Sequence, residues 1–159
     1  MSVIGVATFQ GPYIYGYVTF RETENGVRIR ANLEGLPENA ELAWHIHEAG
    51  DLRGQGCKKA CAHYDPFNKN HGGPSSDEKH VGDLGNIRSN SVGVSRRVMN
   101  ADWLHLRGRY SIIGRSLVIH EHKDDLGKGG NAESLKTGNS GARIGCAVIG
   151  YDSRGQLYF

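Results

Sequence analysis

Val27, Ile29, Ala31 and Leu33 alternate with Arg28, Arg30, Asn32 and Glu34. That period of two predicts a strand with one buried and one wet face. Ile14, Gly16, Val18 and Phe20 alternate in the same way, and Asn25-Gly26 predicts the hairpin turn between the two strands. Leu104, Leu106 and Gly108, set against Trp103, His105 and Arg107, predict another strand. Ser116 to His120 and Ile144 to Tyr151 complete the candidates, the last as an apolar run. Helical periodicity is scarce, and glycine is frequent at 23 of 159 residues. Short strands separated by turns predict an all-β sandwich or barrel.

Two segments break the rhythm, Glu48 to Asp83 and Glu121 to Arg143. Each exceeds the roughly 12 to 15 residues beyond which loops are usually functional or disordered. No internal repeat, linker or low-complexity tract interrupts the chain.

At 159 residues the chain has the length of one ordinary domain with a real core. Its net charge of +2 is spread without a polybasic run, so charge predicts neither a nucleic-acid nor a membrane partner. No apolar stretch approaches the roughly 18 to 20 residues of a membrane span. Met1-Ser2-Val3-Ile4-Gly5 does not read as a signal peptide. With three cysteines, this predicts a reducing compartment, the cytoplasm.

The histidines change the picture. His45-Ile46-His47 places two imidazoles on one side of a strand, where they can grip one ion. His63, His71, His80 and Asp83 form a second cluster inside the first long loop, and His120 ends a candidate strand. A single histidine is usually a surface or hydrogen-bonded core residue. Six at these positions are better explained as ligands. Three histidines and a carboxylate match a tetrahedral zinc site, and a mostly nitrogen donor set suits copper(II). Two different metals held side by side are the expectation.

Longer motifs agree. They are His45-Ile46-His47-Glu48, His71-Gly72-Gly73-Pro74, the run from His80 to Asn86, Ile112-Ile113-Gly114-Arg115, and His120-Glu121. The run from Asp124 to Asn131, Lys136-Thr137-Gly138-Asn139 and Gly141-Ala142-Arg143 follow in order. With these motifs the chain resembles the copper/zinc superoxide dismutases from about Val3 to Tyr151.

The resemblance implies a Greek-key, immunoglobulin-like β-sandwich or flattened barrel of about eight antiparallel strands with two long functional loops. The domain would occupy residues 1–152, and residues 153–159 would be a tail past the usual family end. Copper would be held by His45, His47, His63 and His120, and zinc by His63, His71, His80 and Asp83. Asp124 would link His45 to His71. Arg143 would dock superoxide, Thr137 would narrow the channel, and Lys136, Glu133 and Lys123 would shape the approaching field. His122 would be a mild cationic guide, while His105 has no matching role.

The implied reaction converts superoxide to dioxygen and hydrogen peroxide by alternate reduction and oxidation of copper, with His63 carrying a proton. Cys57 and Cys146 would form one disulfide, leaving Cys61 free and facing away from the site. A homodimer is implied, packed through Ile113-Gly114, Ile149-Gly150 and the loop from Ala49 to Leu52. An apparent one-residue insertion near Leu52-Arg53-Gly54-Gln55 bears on that contact. A copper-delivery protein is an implied partner. The competing reading is a non-catalytic relative that sequesters copper or engages such a protein. It would be expected to lose a copper ligand or the docking arginine, and this chain keeps all of them.

Overall fold

The computed structural model describes residues 3–153. The tail from 154 to 159, and the first two residues of the N-terminal segment read above, lie outside the described residues.

Eight strands form one antiparallel sheet that curls on itself: β1 (Ile4–Gln10), β2 (Tyr15–Thr23), β3 (Gly26–Glu34), β4 (Glu41–His47), β5 (Asp83–Arg88), β6 (Ser95–Ala101), β7 (Ser116–His120) and β8 (Arg143–Tyr151). The order is β5-β4-β7-β8-β1-β2-β3-β6, so the connections β3 to β4 and β6 to β7 cross between the layers. Those crossings are Greek-key connections. The β8–β1 pairing joins the two layers along one side, with Ala7 opposite Ile149. Between the layers Phe20, Ile29, Leu33, Trp44, Ile46, Leu84, Ile87 and Leu117 are fully buried.

The alternation in β2 and β3 works as the sequence predicts: Val18, Phe20, Val27, Ile29 and Leu33 are buried while Arg28 and Arg30 are exposed. The turn between them is shifted by one residue. Thr23 pairs with Gly26, which makes Glu24-Asn25 the loop and Gly26 the first residue of β3. Gly26 has φ +119, and a Cβ there would lie 2.4 Å from the Ala101 carbonyl oxygen. A glycine is needed at this position for that close approach.

The strand expected at residues 103–108 does not form. Leu104 and Leu106 are buried, but the segment makes only the isolated bridge His105–Ser111. It crosses between layers with no neighbouring strand to pair with, held by the Trp103 indole N–H on the Val81 carbonyl at 3.0 Å. Alternating burial is thus produced without a ladder.

β4 and β7 position the site. Leu42, Trp44 and Ile46 point from β4 into the core, so Ala43, His45 and His47 point to the other side. That side is buried too, because the loops 48–82 and 121–142 fold over it. β7 repeats the arrangement, with Leu117 and Ile119 in the core and Ser116, Val118 and His120 under the loops. His45 lies opposite Val118 and His47 opposite Ser116, which brings His120 to the same face.

Candidate metal centre

Asp83 begins β5 and pairs with His45, while a bridge between His47 and His63 lays the first long loop across β4. His71 and His80 follow on that loop. All six histidines and Asp83 are buried, each at 7% exposure or less. His45 and His63 ring centroids are 3.9 Å apart, so the clusters share a wall.

Hydrogen bonds fix which nitrogen of each ring points inward. The His47 Nδ1–H donates to the Cys61 carbonyl at 2.8 Å, and the His120 Nδ1–H donates to the Gly141 carbonyl at 3.1 Å. In a neutral imidazole that leaves the lone pair on Nε2. The two Nε2 atoms face each other at 3.3 Å. Two lone pairs at that distance repel unless a cation lies between them. The Asp124 carboxylate accepts from His45 Nε2 and from His71 Nε2, both at 2.7 Å, turning both Nδ1 atoms inward. Those two Nδ1 atoms and His63 Nε2 are buried without a hydrogen-bond partner. Orphaned buried donors or acceptors are costly, and here they converge on two points.

Around the second point the donors are closely spaced. Asp83 Oδ1 lies 2.9 Å from His71 Nδ1, 3.0 Å from His63 Nδ1 and 3.4 Å from His80 Nδ1. His63 Nδ1 and His80 Nδ1 are 3.2 Å apart. Four donors about 2.0 to 2.1 Å from a tetrahedral zinc would be about 3.3 Å from one another. A purely geometric grouping puts His45 with His63, His71 and Asp83. The single inward lone pair of His45 is better matched to the other group, His45, His47, His63 and His120. His80 Nδ1 lies at the same point, 3.2 Å from His63 Nδ1 and 3.4 Å from Asp83 Oδ1.

Protonation agrees with metal binding. Burial, then repulsion from His63, holds His45 well below its usual range. Burial likewise lowers His63, holds His47 at about 2 and holds His120 at about 4. These rings are neutral at pH 7 and offer lone pairs. Burial would raise the Asp83 carboxyl, but the hydrogen bond from His63 and the contacts with the His71 and His80 rings keep it ionised.

His71 goes the other way. Burial lowers it, yet the hydrogen bond to Asp124 and the adjacent Asp83 carboxylate raise it to about 9. Its Nδ1 contact with Asp83 is short but poorly angled for a hydrogen bond; we read it as a coulombic contact. In the metal-free protein a proton on His71 supplies the positive charge between two carboxylates. A metal at this point must displace it. Zinc affinity is therefore expected to rise about tenfold per pH unit from pH 7 towards 9 and then to flatten. Calorimetry in buffers of different ionisation enthalpy should find about one proton released per zinc at pH 7. A pH-independent affinity over that range would contradict the assignment.

Asp124 is held in turn. Its N–H donates to Asn86 Oδ1 at 2.7 Å, and Asn86 Nδ2 donates to its carbonyl at 3.1 Å. Gly138, at φ +71, roofs the carboxylate. A Cβ there would lie 2.0 Å from Asp124 Oδ1.

The centre opens into a cleft of about 750 Å³ lined by His47, His63, His80 and His120, with Glu133, Lys136, Thr137 and Arg143 on its walls. Arg143 begins β8 opposite His120. Its Nη1 donates to the Cys57 carbonyl at 2.7 Å and its Nη2 to the Cys61 carbonyl at 2.6 Å. Thr137 donates its hydroxyl to Glu133 at 2.8 Å. Lys123 and His122 do not line the cleft: Lys123 pairs with Glu41 at 3.4 Å and His122 with Glu121 at 3.3 Å. His105 is exposed.

Cys57 and Cys146 are bridged, with Cα atoms 5.7 Å apart, and Cys61 is free, exposed and outside the cleft lining.

A family profile described as copper/zinc superoxide dismutase matches residues 14–149. The chain belongs to that family. The superoxide dismutase [Cu-Zn] of Paramecium bursaria Chlorella virus 1 is 51% identical, over 94% of this chain and 79% of its own. That of Yarrowia lipolytica is 49% identical, over 93% and 97%. An extracellular superoxide dismutase [Cu-Zn] of Drosophila melanogaster is 45% identical, over 93% and 82%. The crystal structure of the clock protein EA4 superposes with a TM-score of 0.88 at 40% identity, covering 92% of this chain and 93% of that one. The donor sets described above suit the two metals for which the superoxide dismutase family is named.

Three features of the cleft escape a reading of side-chain motifs. Lys69 and Asn139 line it. The Cys61 carbonyl serves both His47 and Arg143. Cys61 itself sits at φ 65, ψ −152, a region that is essentially glycine-only. Relieving that strain is worth about 1 to 3 kcal/mol, less about 0.5 to 1 kcal/mol for the extra freedom of an unfolded glycine. Cys61→Gly is therefore expected to stabilise the protein by about 1 kcal/mol, read from the urea midpoint. An unchanged or lowered midpoint would contradict this.

Proposed function

We propose that this chain converts superoxide to dioxygen and hydrogen peroxide at a copper site braced by zinc. The reading is carried by inward-facing imidazole lone pairs at the floor of a cleft that has a fixed arginine in its wall. His45, His47, His63 and His120 are assigned to copper, and His63, His71, His80 and Asp83 to zinc. His63 serves both, which requires loss of its second ring proton and therefore both cations. Bound copper supplies a centre that accepts and returns one electron, and zinc supplies charge without changing oxidation state.

The chain's own residues do the rest. Arg143 keeps its charge at all useful pH, and its fork of donors docks the anion beside His120. Lys136 and Lys69 add positive potential along the cleft, and Thr137 with Glu133 narrows it. His63 Nε2 takes up a proton in one half of the cycle and gives it to the product in the other. Two superoxide ions and two protons thus yield one dioxygen and one hydrogen peroxide. Copper sequestration without turnover needs no anion-docking arginine, and the two carbonyls holding Arg143 favour catalysis. A cytochrome-coupled dismutation assay on metal-loaded protein separates the two readings, and absence of turnover refutes catalysis.

Asp124 orients a ring from each donor set, so Asp124→Asn is expected to weaken metal retention about 10- to 100-fold. Chelator competition measures this, and unchanged retention would remove the role assigned to Asp124.

We further infer a homodimer. Val148 is 40% and Tyr151 50% exposed at the end of β8, beside half-buried Ile113, and the loop at Gly50 packs on the Gly114 carbonyl. Arg53 in the apparent insertion folds onto Asp51 at 2.9 Å, which is compatible with an isologous contact. Light scattering of metal-loaded protein at micromolar concentration should give twice the chain mass; a monomer would contradict the dimer. Cytoplasmic residence and loading by a copper-delivery protein remain part of this reading, on the family resemblance alone, since the Cys57–Cys146 bridge removes the argument from cysteine content. No helix among the described residues is long and apolar enough to cross a membrane.

A further inference from the structure

The net charge of +2 conceals where the charge lies. On the outer face of β1-β2-β3-β6 the register aligns three rows: Thr8–Tyr17–Asn32–Arg96, Val6–Thr19–Arg30–Val98 and Ile4–Arg21–Arg28–Asn100. Together the rows hold four arginines and no carboxylate. Arg21 and Arg28 are directly opposite each other, where like charges destabilise a sheet. Arg30 is two residues from Arg28 on the same face, and Arg96 is diagonal to Arg30. Among the described residues none of the four makes an ion pair; the arginines that do are Arg53, Arg88 and Arg107. Acidic residues border the rows: Glu34 lies opposite Tyr15, and Glu24 and Asp102 share a hollow with Arg28 without pairing to it.

Aromatic rings continue the same face. Tyr13, Tyr15 and Tyr17 are 76%, 46% and 45% exposed. Tyr15 and Tyr17 point the same way, about 6.6 Å apart along β2. Tyr17 is steadied by Asn32 Nδ2, which donates to its hydroxyl at 3.1 Å. Arg28 donates to Asn100 Oδ1 at 3.2 Å and Arg96 to the Leu33 and Ser95 carbonyls, and Tyr15 rests against Gly11. The arginines still repel one another and the phenol rings of Tyr15 and Tyr17 stay about half exposed, which is costly in the free protein. An anionic ligand with flat apolar rings would relieve both costs.

The geometry points to this face as a binding surface for single-stranded nucleic acid, with phosphates on Arg21, Arg28, Arg30 and Arg96 and bases stacked on Tyr15 and Tyr17. Base stacking on aromatic side chains along a basic surface is the general mode of single-strand binding. A sulfated polysaccharide would use the arginines and leave the tyrosines idle. A duplex would present phosphates but keep its bases stacked on one another. The metal centre lies on the other layer, on β4, β5 and β7, so the cleft stays open when this face is occupied.

The test uses metal-loaded, disulfide-intact protein and fluorescently labelled 12-nucleotide oligo-dT and oligo-U. Anisotropy is expected to give a Kd of about 1 to 100 µM, with a log–log salt slope near −2.8 for four phosphate contacts at about 0.7 each. Arg30→Ala with Arg96→Ala should reduce that slope by about 1.4. Tyr15→Ser with Tyr17→Ser should weaken binding by about fivefold or more per tyrosine at unchanged slope. Both double variants should keep wild-type dismutation and circular dichroism, which shows that they fold. Absence of binding at low salt overturns the proposal. So does equal affinity for a 12-base-pair duplex or a heparin oligosaccharide with the tyrosine variant silent, which would mark a general polyanion patch.

Discussion

Replacing Arg143 with isoleucine is expected to lower kcat/KM for superoxide about 10- to 1,000-fold while both metals stay bound. That span is the general range for field focusing in charged clefts, to which this enzyme family itself contributes. The metal donors do not depend on Arg143: His47 keeps its bond to the Cys61 carbonyl, and His120 its bond to Gly141. What is lost is the guanidinium held on the Cys57 and Cys61 carbonyls in the wall of the cleft that His120 also lines. Because docking belongs to the encounter, the loss falls on kcat/KM. Raising ionic strength should slow the wild type, since steering is screened over about 10 Å at 0.1 M salt, and should slow the variant less. Arg143→Lys should be intermediate, because it keeps the charge and loses the planar fork. Stopped-flow rates equal to wild type in Arg143→Ile would end the anion-docking account.

Removing the disulfide should produce the second large effect. Cys57→Ser with Cys146→Ser opens a loop of 89 residue steps. In the chain-entropy model that destabilises the fold by about 4 to 5 kcal/mol, read as a lowered urea midpoint. A kinetic loss should accompany it. The segment carrying Cys57 and Cys61 supplies both carbonyls that hold the guanidinium, and the bridge ties that segment to β8, where Arg143 lies. Measured well below the unfolding transition with metals bound, kcat/KM should fall towards the Arg143→Ile value. Full activity in a destabilised variant would show that the bridge stabilises without positioning Arg143.

The gathering of the histidines, Asp83 and Arg143 around one cleft was legible because candidate ligand and anion-binding chemistry is bound to residue type. The strands were less so. β3 showed its alternation because one face is wet; β4 and β7 are buried on both faces, by core and by loops, and lose their period, so β7 was readable only as the short apolar stretch Ser116 to His120, which the structure matches. β6 was missed because Arg96, Arg97 and Val98 are all exposed at the sheet's edge. The false strand at 103–108 shows that burial can alternate without a partner strand. Backbone groups left no trace in the composition; the Cys61 carbonyl, shared by His47 and Arg143, emerges only from the fold. The tyrosine–arginine face was hidden for another reason: a total charge says nothing about register.

The most direct test of the two-metal account is to titrate copper into zinc-saturated protein and measure bound metal and dismutation on the same samples. The account predicts saturation at one copper and one zinc per chain, with activity rising in proportion to copper and stopping at that ratio. Saturation with zinc alone, or one copper and one zinc per chain with no turnover, would contradict it.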